Sequence, residues 1–128
     1  ASKVHVRLVG SERLAGLAET YMREGFVDES AVRDEIAPCF IEHDGRRTDI
    51  VVLACTHYPF LVNRMRKTAP WPVDWIDPAP AIARRVADLL GPAGGESDEA
   101  GAEMIFTSNR PHALTAALTP FFGGRVPA

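Results

Sequence analysis

The chain has 128 residues and a formal net charge of −3, from 14 Lys and Arg against 17 Asp and Glu. That length fits one domain, and a composition of 46% hydrophobic and 24% charged residues argues against disorder along the whole chain. The acidic balance argues against a nucleic-acid partner, and no apolar run reaches the roughly 20 residues that a membrane span needs. Two cysteines favour a reduced, cytoplasmic setting over a disulfide-rich one.

The N-terminus has features of a fragment. The sequence begins at Ala1 without an initiator methionine and carries no secretory signal pattern. Residues 4–9 alternate apolar and polar side chains, which already predicts a strand. A start this close to a predicted buried strand favours a chain cut at a domain boundary, with terminal processing or a cloning choice as the alternative.

Two helices are predicted after this strand. Ser11 is a suitable N-cap for an amphipathic helix over 12–24, and Gly25 is suited to end it. A second helix is predicted to start near Asp28, and Pro38 should end or kink it.

The middle of the chain alternates strands and helices. A polar turn is predicted at 43–47, followed at 49–54 by a continuous apolar run that is typical of a central parallel strand covered on both faces. A helix over 60–69, a short strand over 73–77 and a proline-opened helix over 78–90 follow. This alternation predicts an α/β fold with a mostly parallel sheet flanked by helices.

The chain is predicted to divide into three parts. Residues 1–90 form an α/β domain, and the Gly-, Pro- and acid-rich residues 91–102 form a flexible linker. Residues 103–128 hold a last strand, at 103–108, and a last helix, at 111–122.

Side chains suited to chemistry follow the most apolar strand. Cys55, Thr56 and His57 come directly after residues 49–54, and ligands of open α/β sheets bind at the carboxyl ends of strands. A thiol beside an imidazole there indicates a nucleophile or a proton-transfer base. The alternatives are an inert buried cysteine, a structural histidine, or a metal pair, although the pair lacks further ligands at the usual zinc spacing. Cys39 is predicted to be a small buried hydrophobic residue.

The segment 53–61, Leu-Ala-Cys-Thr-His-Tyr-Pro-Phe-Leu, resembles the second cysteine motif of bacterial glutamate racemases. That motif usually has Gly where Ala54 stands. Residues 76–83, and 106–108 with the Phe-rich helix after them, resemble further segments of the same family, so the resemblance extends over most of 49–122. The Cys-Thr-His-Tyr-Pro core is highly specific, whereas the flanking matches are only supportive.

The resemblance implies a function. Glutamate racemases interconvert L- and D-glutamate without a cofactor or a metal, using two cysteines on opposite faces of the substrate α-carbon, and D-glutamate enters peptidoglycan. Cys55 would be the second of these cysteines. Thr56 and His57 would bind the substrate, and His57 would also assist proton transfer at Cys55. An acidic residue usually replaces this histidine in related aspartate racemases, so His57 favours glutamate.

Half of the family's pattern is missing. Neither the first cysteine motif, of Cys-Asn-Thr type, nor the Asp-Ser-Gly-type loop occurs, and the surroundings of Cys39 do not match the first cysteine. The chain therefore resembles the C-terminal half of a two-domain Asp/Glu racemase-like fold. It is expected to be inactive without the N-terminal half, and the full-length form is expected to be a homo-oligomer.

The resemblance leaves some questions open. The family places an acidic residue near the active site, and Glu12 is the nearest candidate, although an acid in the first turn of a helix is a simpler interpretation. Residues 103–122 would pack on the missing domain, leaving an apolar patch or exchanging between copies. The alternative functions are a non-catalytic module that binds a protein partner, and a racemase or isomerase of the same superfamily acting on another small carboxylate.

Overall fold

The computed structural model describes residues 4–91 and 119–120. The predicted linker over 91–102 lies outside the described residues except for Gly91. The predicted strand over 103–108 lies outside them entirely, as does the predicted helix over 111–122 except for two of its residues. The apolar patch expected at 103–122 is likewise outside the described part.

The described residues form four α-helices and four short strands. The helices are α1 (Leu14–Glu24), α2 (Glu29–Ile36), α3 (Val62–Thr68) and α4 (Ala79–Leu90). The strands are β1 (Glu42–His43), β2 (Arg46–Arg47), β3 (Ile50–Val52) and β4 (Asp74–Ile76).

Local capping groups explain where the first two helices begin and end. The Ser11 hydroxyl accepts a hydrogen bond from the Leu14 amide at 2.9 Å and donates one to the Glu35 carboxylate at 2.6 Å. It therefore bonds the first amide of α1 and links this helix to α2, although the residue in the N-cap position is Arg13. Gly25 ends α1 with φ at 76°, a left-handed conformation that glycine adopts without strain. The Asp28 carboxylate caps α2 by accepting from the Ser30 amide, and hydrogen bonds from Ser30 lower the pKa of Asp28.

The predicted polar turn is a β-hairpin. Strands β1 and β2 pair antiparallel, with His43 opposite Arg46. Between them, Asp44 and Gly45 have φ values of 51° and 70°. Two left-handed residues in succession are the geometry that an Asp-Gly pair favours in a two-residue hairpin loop.

The predicted parallel pairing is present, but one face of the sheet is open. Strands β3 and β4 run parallel, with Val51 opposite Trp75. In contrast to the prediction that 49–54 is covered on both faces, Ile50 and Val52 are 48% and 56% exposed. Of the residues in these two strands, Trp75 packs against the hydrophobic core, on the opposite face from Ile50 and Val52.

The prediction of a strand at 4–9 is wrong for this structure. The segment has no regular secondary structure, and Val4, Val6 and Leu8 are all largely exposed. Alternation gives a segment strand propensity, but a strand also needs the backbone of a neighbour to bond with. Within residues 4–91, no strand pairs with this segment.

The hydrophobic core lies between the first three helices and the end of β3. Ion pairs also link α2 to α3 at the surface, since the Glu29 carboxylate accepts from Lys67 at 2.8 Å and from Arg64 at 3.1 Å. The hydrogen bond from Lys67 is the main cause that lowers the pKa of Glu29. The buried core residues are Leu14, Ala18, Val32, Ile36, Leu53, Leu61 and Met65.

Helix α4 forms where it was predicted but buries none of its residues. Its apolar side chains, among them Ile82, Val86 and Leu89, are all exposed. The described residues that are buried lie between Leu14 and Thr68. No helix in the described ranges has both the length and the apolar character needed to cross a membrane.

Candidate active site

Two buried leucines fix the loop that carries the candidate residues. Leu53, at the end of β3, is buried and donates its amide to the carbonyl of Ile76 at 2.9 Å. Leu61 is fully buried at the end of a 3₁₀ turn over Tyr58–Leu61. Between them, the Tyr58 amide donates to the carbonyl of Cys55 at 3.3 Å. The loop is therefore held by a buried leucine at each end and by a backbone hydrogen bond within it, which limits how far Cys55 can move.

The structure brings the three predicted site residues together. The Cys55 Sγ lies 3.9 Å from His57 Nδ1, and the Thr56 Oγ1 lies 3.5 Å from the same nitrogen. On the other side of the ring, His57 Nε2 lies 3.2 Å from Glu19 Oε1, on α1. A thiol, an imidazole and a carboxylate thus form a continuous chain at the carboxyl end of a parallel strand.

The positions of these groups define what they can do chemically. An ionised carboxylate only accepts hydrogen bonds, so the contact with Glu19 assigns the proton of a neutral His57 ring to Nε2. The lone pair of Nδ1 then faces Cys55 and can accept the thiol proton. Glu19 is placed to stabilise the imidazolium that such a transfer would form, so the arrangement has the groups that a thiolate base or nucleophile requires.

Exposure argues against the inert alternatives. Cys55 is partly exposed and Thr56 is exposed, while the side chain of His57 is 35% exposed. Cys55 is therefore not a fully buried core residue. In residues 4–91 and 119–120, no group of three or more His, Cys, Asp or Glu side chains is placed to hold a metal ion.

The second cysteine has a different environment. Cys39 is partly buried in a 3₁₀ turn that includes Pro38 and ends α2 as predicted. Burial raises the pKa of the Cys39 thiol, a shift that the nearby charge of Arg7 opposes. Cys39 was predicted to be buried, and the structure buries it only in part.

Sequence reasoning missed Glu19. It named Glu12 as the nearest acidic candidate, with a first-turn helix residue as the simpler interpretation; the structure leaves both acids exposed, but puts the Glu19 carboxylate 3.2 Å from His57 Nε2. In the sequence, Glu19 is one polar residue on an amphipathic helix, and nothing local distinguishes it from a solvated one. Only the packing of α1 against the 3₁₀ turn over Tyr58–Leu61 brings it to the imidazole.

Tyr58 borders the site from the core side. Burial is the main cause that raises the pKa of the Tyr58 phenol, and the charges of Cys55 and Glu35 add to the shift. Tyr58 therefore stays protonated at neutral pH and contributes a polar but uncharged wall beside the sulfur.

The fold is that of part of an α/β racemase. The crystal structure of Escherichia coli glutamate racemase, in complex with L-glutamate and the activator UDP-MurNAc-Ala, matches with a TM-score of 0.64 and 29% sequence identity. The match covers 90% of this chain and 42% of that chain. The predicted fold class, one half of a racemase-like α/β fold, is confirmed.

Sequence comparison finds relatives with the same name. The chain is 68% identical to the glutamate racemase of Mesorhizobium japonicum over 96% of its own length and 47% of that protein. It is 57% identical to the glutamate racemase of Sinorhizobium medicae over 100% of this chain and 48% of that one. No protein-family model matches it. The chain spans about half the length of these curated relatives and corresponds to their C-terminal part, which confirms the resemblance carried by the Cys-Thr-His-Tyr-Pro motif.

Proposed function

We propose that this chain is the C-terminal half of a glutamate racemase and supplies one of its two proton-transfer cysteines, Cys55. The observation that carries the proposal is the chain of contacts from Cys55 through His57 to Glu19, in a sequence 68% identical to a glutamate racemase over 96% of its length. L-glutamate in the related Escherichia coli structure supports glutamate as the substrate.

The proposed chemistry is a proton transfer at the substrate α-carbon. That proton is only weakly acidic, so the base must be poised and shielded from water. His57 takes the thiol proton of Cys55, and Glu19 stabilises the resulting imidazolium. The thiolate then removes the α-proton, so the C–H bond breaks and the S–H bond forms again.

Inversion needs a second acid on the opposite face of the α-carbon. Cys39 lies on a separate turn after α2 and has a raised pKa, so it is unsuited to this role. We assign the second acid to the N-terminal half that the relatives carry. Thr56 binds the substrate carboxylate or ammonium group through its amide and hydroxyl. The two free cysteines suit a reduced cytoplasm, where the D-glutamate product would supply peptidoglycan synthesis.

The test is racemisation by the protein that carries this chain at the full length of its relatives. We expect the circular dichroism of an L-glutamate solution to decay to zero, with little change when aspartate or a hydantoin is supplied. The 128-residue chain alone should leave the signal unchanged, because one thiol reaches only one face. A full-length protein that racemises none of these compounds but binds a protein partner would favour the binding-module alternative, and a preference for another carboxylate would favour a sister enzyme.

Glu19 is proposed as the positioning residue for His57. The substitution Glu19→Gln keeps an oxygen acceptor but removes the charge that stabilises the imidazolium; because the Glu19 side chain is 60% exposed, kcat should fall by about fivefold at most, with little change in KM. The matched control is Glu12→Gln, which removes an exposed carboxylate two residues before the same helix. Steady-state kinetics of both full-length variants decide between the two acids, and an equal or larger loss for Glu12→Gln would contradict this assignment.

A further inference from the structure

The Nδ1 atom of His57 has two polar neighbours, although the proton transfer described above uses only one. The Cys55 Sγ lies 3.9 Å away and the Thr56 Oγ1 lies 3.5 Å away, while Nε2 is engaged by Glu19 at 3.2 Å. Among the described residues, Cys55 and Glu19 are the titratable groups in contact with this ring. The Thr56 hydroxyl therefore competes with the Cys55 thiol for one nitrogen.

The two neighbours differ in what they offer that nitrogen. A hydroxyl both donates and accepts hydrogen bonds and rotates to suit its partner. A thiol is a weak donor, and its thiolate must turn toward the substrate in order to act as a base. Once the Cys55 proton has moved to Nδ1, the new N–H needs an acceptor that stays in place while the sulfur moves.

We propose that the Thr56 hydroxyl is this partner and acts as a positioning group for His57. It donates to Nδ1 in the resting state, yields the Nδ1 lone pair to the thiol proton during the transfer, and accepts from Nδ1–H afterwards. The ring is then held by Glu19 at one nitrogen throughout, and by Thr56 at the other before and after the transfer. This role rests on the proposed function, and it is additional to the substrate contact expected of Thr56.

Three variants of the full-length enzyme test this role by steady-state kinetics. The substitution Thr56→Val removes the hydroxyl at nearly constant shape and should lower kcat about fivefold, the size expected for one neutral hydrogen bond, while the lost substrate contact raises KM. Thr56→Ser retains the hydroxyl and should keep at least about half of the original kcat. Thr20→Val removes a hydroxyl next to Glu19 on α1 and should leave both constants unchanged. Because Thr56 is exposed, none of these changes opens a cavity in the core.

Imidazole spectra give a second measurement that does not depend on activity. With 15N-labelled histidine, the signals of His57, assigned by their loss in His57→Gln, should report one tautomer with the proton on Nε2. In Thr56→Val they should shift toward mixed tautomers or broaden, and in Thr56→Ser they should return.

The outcomes separate this inference from the proposed function. A rise in KM alone, a Ser variant as impaired as the Val variant, or unchanged His57 spectra in Thr56→Val would overturn the role of the hydroxyl. If kcat and KM both change, the spectra decide. If Cys55→Ser keeps the original rate of racemisation, the proposed function fails, whereas the spectra still report on the Thr56 contact.

Discussion

Replacing Cys55 with serine in the full-length enzyme is expected to lower glutamate racemisation by about a hundredfold to ten-thousandfold, the usual contribution of a general acid–base group. A serine hydroxyl is a far weaker acid than a thiol, so His57 cannot convert it to a useful base. The remaining site would still bind the substrate, since Thr56 and the loop anchors Leu53 and Leu61 are unchanged. We therefore expect kcat to carry the loss and KM to change little.

The matched control for this experiment is Cys39→Ser. Cys39 is the chain's other free thiol, and burial raises its pKa. Its replacement should leave the decay of the L-glutamate circular dichroism signal nearly unchanged. If Cys55→Ser retained activity, or if Cys39→Ser lost as much, the assignment of Cys55 as the proton-transfer thiol would be wrong.

Shortening Leu61 to alanine is expected to lower the free energy of unfolding by about 2–5 kcal/mol, the range for a large-to-small change in a packed core. Leu61 is fully buried and contributes to the core between the first three helices. Since small domains are stable by only about 5–15 kcal/mol, this loss should be visible as a large fall in the urea midpoint. Unfolding of the 128-residue chain, followed by circular dichroism, measures it.

The control is the same chemical change at an exposed position. Leu90 ends α4 and is 80% exposed, so Leu90→Ala should change the free energy of unfolding by no more than about 0.5 kcal/mol. Similar losses for the two variants would contradict the core described here. Because Leu61 also ends the turn that follows His57, a destabilised Leu61→Ala should lose its Glu19–His57 contact as well.

Local signals explain which parts of the fold were predictable. Ser11, Gly25 and Asp28 bound the first two helices through hydrogen bonds or backbone angles within a few residues, so the sequence predicted these ends well. Residues 4–9 show the opposite case, since alternation indicates a strand but does not supply the neighbour that it must pair with. The open face at Ile50 could not be predicted either, because an apolar run does not indicate whether one or both faces of its strand will be covered by other elements.

The candidate site also combines residues that the sequence predicted with one that it did not. Cys55, Thr56 and His57 are consecutive in the chain, so one motif was enough to predict that they lie together. Glu19 is far from them in sequence and reaches His57 only because α1 packs on the 3₁₀ turn after it. Non-local packing of this kind leaves no mark in a single sequence.

The exposed apolar side of α4 has a consequence for how the isolated chain behaves at high concentration. Apolar contacts strengthen as excluded salts such as sulfate are added, whereas electrostatic repulsion between copies is screened. With a net charge of only −3, electrostatic repulsion between two copies of the chain opposes contact between their α4 helices only weakly. Among the described residues, the exposed apolar side of α4 therefore favours association between copies of the chain as such salts are added.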